Sequence, residues 1–203
     1  MGSLGVTPRE EEHIKLQNEV GEYLQSLGFW IDSATYHDRL AKERADHLSG
    51  IYSLTALYIR GRADRIAVHS TRNVVFEWEI KTHKSPDKTD MSFEALPFMH
   101  HVQQGQLGVK CLYIYRNPFP NQILDIGFWI HDMPPIEAIL IPDNPYYSSE
   151  THALIEETAQ KLLFRTNRTR PTKGSNDPFA LVEEKYVRCL PHWKNLILEA
   201  LQQ

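Results

Sequence analysis

Between Val74 and Lys81 the chain alternates strictly, with Phe76, Trp78 and Ile80 at one parity and Glu77, Glu79 and Lys81 at the other. Side chains on a β-strand point to its two faces in turn, so the stretch predicts a strand with one apolar face and one charged face. Two readings follow. The charged face is wetted, as on a sheet covered from one side, with a surface ion pair worth at most about 1 kcal/mol. Otherwise, its charges line a site.

The neighbouring sequence supplies the rest of the sheet. Arg65 to His69 predicts a strand, Ser70 to Asn73 a polar turn, and Ile51 to Arg60 a further strand, which together make an antiparallel meander. Upstream, Leu16, Val20, Tyr23, Leu24 and Leu27 recur at helical spacing, with Thr7 as N-cap, Pro8 at the first helical position and Gly28 as the stop. Downstream, a helix is predicted from near Pro97 to Gly108, then a buried strand over Lys110 to Arg116. Strands over Ile123 to His131 and Ile136 to Ile141 complete the sheet region, and helices are predicted over Ser149 to Phe164 and Pro178 to Gln202. The fold class is therefore mixed α/β or α+β: a central mixed sheet flanked by helices, with a C-terminal helical extension. A single domain over residues 1–203 is expected, with a core at about 8–145 and the extension at about 146–203.

Composition sets outer limits. At 203 residues and 41% hydrophobic the chain can bury one substantial core, and a net charge of −4 gives it no overall attraction for nucleic acid. Any such binding must come from local cations or a metal. No apolar run approaches the roughly 18 residues that cross a bilayer, so no membrane partner is expected. The first residues lack the apolar core of a signal peptide, and the two cysteines, Cys111 and Cys189, form no paired pattern. An intracellular setting is the expectation. Ten histidines raise a zinc reading, with His100 and His101 adjacent, but neighbours on a helix diverge by about 100° and no HExxH or Cys/His spacing supports it.

Glu79 and Lys81, two apart on one strand face, sit roughly 7 Å apart at the backbone and can reach one small site. Asp64 precedes the hairpin partner strand, so pairing brings its carboxylate beside Glu79. Clustered carboxylates repel unless a cation lies between them, and hard oxygen donors suit Mg²⁺ or Mn²⁺. A lysine beside such a cation can orient a water, while the cation neutralises charge on a phosphoryl oxygen. That chemistry cleaves phosphodiesters.

The arrangement resembles the PD-(D/E)xK nuclease superfamily, in which an acid opens one strand and an acid-x-lysine tripeptide lies on the next. Asp64 and Glu79-Ile80-Lys81 match those positions, and the Gly61-Arg62-Ala63-Asp64 spelling with Lys81-Thr82 looks like the branch of RecB-type nucleases and phage exonucleases. His101-Val102-Gln103-Gln104 is similar to the His-x-x-Gln helix of that branch. The resemblance implies a restriction-endonuclease-like core and hydrolysis that leaves a 5′-phosphate. It implies Asp64, Glu79 and the Ile80 carbonyl as metal ligands, Lys81 beside the attacking water, and Gln104 at substrate or water. It also implies a first-helix acid near the metal. Of Glu12, Glu19 and Glu22, Glu19 flanks the apolar stripe and is the expected one.

An acid-x-lysine tripeptide arises about once by chance in such a composition. Glu183-Glu184-Lys185 is a second, inside a helical pattern. The strand setting and the order of neighbours therefore carry the reading. DNA is the expected partner, with Arg62, Arg165, Arg168, Arg170 and Lys173 as the local cations that would track its phosphates. The alternative of another class is a nucleic-acid-binding or assembly protein that keeps the fold without cutting.

Overall fold

The structure, a computed structural model, describes residues 8–31, 65–82, 91–119, 122–142, 149–169 and 178–203. The predicted strand over Ile51 to Arg60, the cap at Thr7, and the site residues Arg62, Asp64, Arg170 and Lys173 lie outside them.

In chain order the described elements are α1 (Pro8–Ser26), β1 (Trp30–Ile31), β2 (Arg65–His69), β3 (Val74–Thr82), β4 (Met91–Glu94) and α2 (Ala95–Gln106). They continue as β5 (Cys111–Phe119), β6 (Gln122–Trp129), a 3₁₀ turn (Ile130–Asp132), β7 (Ala138–Pro142) and α3 (Ser149–Lys161). The chain closes with β8 (Thr166–Thr169), β9 (Phe179–Val182), α4 (Glu184–Val187) and α5 (Trp193–Ala200). The protein is mixed α/β, with two mixed sheets and, among the described residues, five α-helices.

Helix α1 forms where its stripe predicts, and Leu16, Val20 and Leu24 are fully buried, each contributing about 1.5–3 kcal/mol of burial. Gly28 ends it at φ +90, a conformation costly for any residue with a Cβ, and an added Cβ would lie 3.2 Å from His69 Nε2. His69 Nε2 is hydrogen-bonded to the Leu27 carbonyl at 3.1 Å, which ties the helix end to β2.

The first sheet has the spatial order β1-β2-β3-β5-β6. β1, β2 and β3 pair antiparallel, as do β5 and β6. The β2–β3 turn closes through Asn73 at φ 52, a left-handed position that asparagine tolerates. β3 and β5 are parallel, which requires the crossover through β4 and α2.

Strand parity then separates two cores. Phe76, Trp78, Ile80, Leu112 and Ile114 face α1 and α5, where they meet Leu16, Val20, Leu24, Trp193 and Ile197. Gly127 on β6 permits that close packing: a Cβ there would meet the Tyr113 carbonyl at 2.9 Å and Trp193 Cβ at 3.1 Å. The opposite parity, Cys111, Tyr113 and Tyr115 with Ile126 and Phe128, packs under Phe93, Phe98, Met99 and Val102. At the middle of β3 and β5 both faces of the first sheet are covered.

The second sheet, in the order β4-β9-β7-β8, has a parallel β7–β8 pair among antiparallel neighbours. It changes two expectations. The strand predicted over Ile136 to Ile141 forms as β7 but belongs to this sheet rather than the first. The region after residue 146 is not purely a helical extension, because Thr166–Thr169 and Phe179–Val182 enter the second sheet as β8 and β9. The apolar run Phe179-Ala180-Leu181-Val182 buries Ala180 and Val182 between β4 and β7, and this non-local partnership outweighs any helical propensity.

Candidate functional site

Glu79 sits at the middle of the sheet. Its register partner on β5 is Tyr113, and that of Lys81 is Tyr115, so the charged parity of β3 faces the core beneath α2. Glu79 is only 6% exposed, although it bears a carboxylate. Burying such a charge is costly unless it is paired. Lys81 Nζ supplies the pairing, 2.7 Å from Glu79 Oε1. The wetted-face reading therefore fails at Glu79.

β4 approaches this pair directly, and α2 packs on the neighbouring Tyr113. The Tyr115 hydroxyl donates to the Ser92 carbonyl at 3.4 Å, and Glu94, the last residue of β4, brings Oε2 to 3.7 Å from Lys81 Nζ. Glu94 is more than half exposed, and as the residue before α2 it makes no side-chain capping bond to that helix. The Lys81 ammonium thus has a tight partner at the buried end and a loose one at the open end. Sequence reasoning missed Glu94, since no periodic spacing relates it to Glu79.

On α2, His101 is buried, and its Nδ1 shares a 2.7 Å hydrogen bond with the Tyr113 hydroxyl. This bond holds the helix against the residue beside Glu79. Gln104, one turn later, is half-buried. His100 projects differently, and burial lowers its pKa below the ordinary value of 6.5. The Ile80 side chain points away from Glu79 into the α1 core.

Glu19 is drawn elsewhere. Arg116 Nη2 donates to Glu19 Oε2 at 2.9 Å, while Arg116 Nε and Nη2 donate to the two Asp125 oxygens at 2.6 Å each. Arg116 is the register partner of Thr82 on β3 and of Asp125 on β6, so this cluster lies on the α1 face, opposite Glu79 and Lys81. The bonds from Asp125, then those from Glu19, push the guanidinium pKa up against the opposing effect of burial. The expected link between Glu19 and the Glu79 site is therefore not a direct contact.

Of the basic segment, Arg165 and Arg168 are described and exposed. Arg168 donates to Glu156 Oε1 from Nε at 3.1 Å and Nη2 at 3.0 Å, so part of its charge is already answered. Among the described residues no three His, Cys, Asp or Glu side chains form a group that could hold a metal. Asp64, the second acid of the predicted set, is not among them, but it is bonded to Arg65, whose register partner Trp78 directly precedes Glu79. No described helix is long and apolar enough to cross a membrane. The chain matches no protein-family model, no curated protein and no solved structure.

Proposed function

We propose that this chain is a metal-dependent nuclease with a restriction-endonuclease-like core, acting on DNA. One observation carries the reading: a carboxylate held 6% exposed, with an ammonium 2.7 Å away, on the strand whose hairpin partner begins one residue after Asp64. A carboxylate–ammonium pair is a poor use of a core position for stability alone, because desolvation offsets most of the attraction. A buried ion pair kept in spite of that cost marks a candidate functional site. The order of a first helix, a meander ending in Glu79-Ile80-Lys81, a helix carrying Gln104 and a returning strand also agrees with the resemblance.

In this reading Asp64 and Glu79, with the Ile80 carbonyl, hold Mg²⁺ or Mn²⁺. The Glu79 carboxylate fits as a hard oxygen donor. The bound cation supplies a more acidic water and charge neutralisation at the scissile phosphate. Lys81 orients the attacking water beside the developing phosphoryl charge. Gln104 contacts water or substrate from α2. Glu19 serves indirectly, by fixing α1 to β5 through Arg116. Arg62, Arg165, Arg168, Arg170 and Lys173 attract phosphates where the net charge does not.

The test is incubation with linear and circular, single- and double-stranded DNA and with RNA, in Mn²⁺ or EDTA, beside Lys81→Ala. DNA cleavage that needs Mn²⁺ and falls by about 10²–10⁴-fold in the variant is expected. Cleavage that ignores EDTA or the loss of Lys81 would overturn the mechanism. The second reading, a nucleic-acid-binding or assembly protein of the same architecture that does not cut, is favoured by the commitment of Glu19 to Arg116. Salt-dependent DNA binding with no turnover in any arm would select it.

A further inference from the structure

Lys81 stands between two carboxylates of unlike character, Glu79 buried at 2.7 Å and Glu94 exposed at 3.7 Å. If Glu79 gives its oxygens to a divalent cation, the ammonium loses its close partner and faces a like charge, which disfavours the arrangement unless another acid takes the ammonium up. A lysine head on a four-carbon stem can make that exchange by rotation, where an arginine fork could not. Among the described residues, Glu94 is an acid within reach. Its carboxylate makes no capping bond to α2, and the helix start behind it favours a negative charge at that point.

We infer that Glu94 is a positioning residue for Lys81: it receives the Lys81 ammonium when Glu79 is committed to a metal ion, and so holds it where the attacking water must lie. The inference rests on the nuclease reading and adds a residue that the resemblance does not assign. Glu94 touches neither the metal nor the substrate in this role. Its effect passes entirely through Lys81, and that dependence is measurable.

The experiment titrates the full chain with Mn²⁺ alone, by calorimetry or water-proton relaxation. It uses the parent, Glu94→Gln, Lys81→Met, the Glu94→Gln/Lys81→Met double variant and Glu79→Gln, each first shown folded by circular dichroism. In the parent background Glu94→Gln should weaken Mn²⁺ binding by roughly two- to fivefold, the size of an exposed ion pair, because Lys81 then competes harder for Glu79. In the Lys81→Met background the same change should do nothing. Glu94→Asp should restore part of the loss. An equal loss in both backgrounds would make Glu94 a ligand, and no loss in either would make it a bystander; both outcomes overturn the inference. Mn²⁺ binding that survives Glu79→Gln would remove the metal site itself, which separates failure of the nuclease reading from failure of this one.

Discussion

Two charged clusters lie on opposite faces of the same pair of strands. On the α1 face, Arg116 spends both prongs of its fork on Asp125 and reaches Glu19 as well, so one rigid, planar cation joins β5, β6 and α1. On the α2 face, Lys81 holds one carboxylate closely and a second loosely, and all three groups come from β3 and the end of β4. The guanidinium cluster has the geometry of a fastening, with directional bonds that lock their partners. The ammonium cluster has that of an exchangeable contact. The two cations sit one register step apart on neighbouring strands, Lys81 opposite Tyr115 and Arg116 opposite Thr82, so they face opposite sides and differ in side-chain type as well.

The largest expected effect tests the fastening. Arg116→Ala leaves Asp125 and Glu19 without their cation and unties α1, and should lower stability by about 2–4 kcal/mol in urea unfolding, near the range for breaking a partly buried pair. A loss under about 1 kcal/mol would erase the contrast. Arg116→Lys comes next, at about 1–2 kcal/mol, because one ammonium cannot serve three oxygens on two elements. A full rescue by lysine would show that the fork geometry is irrelevant.

The lysine cluster should respond differently. Replacing both partners at once, Glu79→Gln with Lys81→Met, removes a buried charge together with its part-buried counter-charge and should leave stability within about 1 kcal/mol of the parent, while abolishing Mn²⁺-dependent cleavage. A much larger stability loss would mean that this pair is structural. The smallest effect concerns pH. Burial depresses the His100 pKa on α2, so the neutral form is favoured in the folded protein. Its contribution is present above about pH 6.5 and declines as pH falls through that value and below, because the unfolded chain then binds the extra proton. His100→Asn should flatten the slope of stability between pH 7 and 5. Arg116, its pKa pushed up, stays charged throughout that range.

Local patterns were readable where one side of an element met one core. The α1 stripe, the Gly28 stop and the alternation of Phe76, Trp78 and Ile80 each name their own buried face. The burial of Glu79 was not decidable from β3 alone, because Phe93 and Phe98, which pack on its register partner Tyr113, arrive from another segment. Short strands were the other loss. Four residues at Thr166–Thr169 and at Phe179–Val182 show no period that separates strand from helix, and their pairing with β4 and β7 is a property of the folded whole. Glu19 illustrates a subtler failure: helical geometry correctly turned it inward, but only the register of Arg116 with Thr82 reveals which face of the sheet it meets.

The parallel seam between β3 and β5 also bears on assembly. The β2–β3 hairpin closes through a turn of four residues and can form early, whereas β5 can dock only after the whole β4–α2 crossover has been laid over the sheet. Burial of Glu79 and Lys81 thus depends on a long-range pairing that the hairpin alone cannot supply.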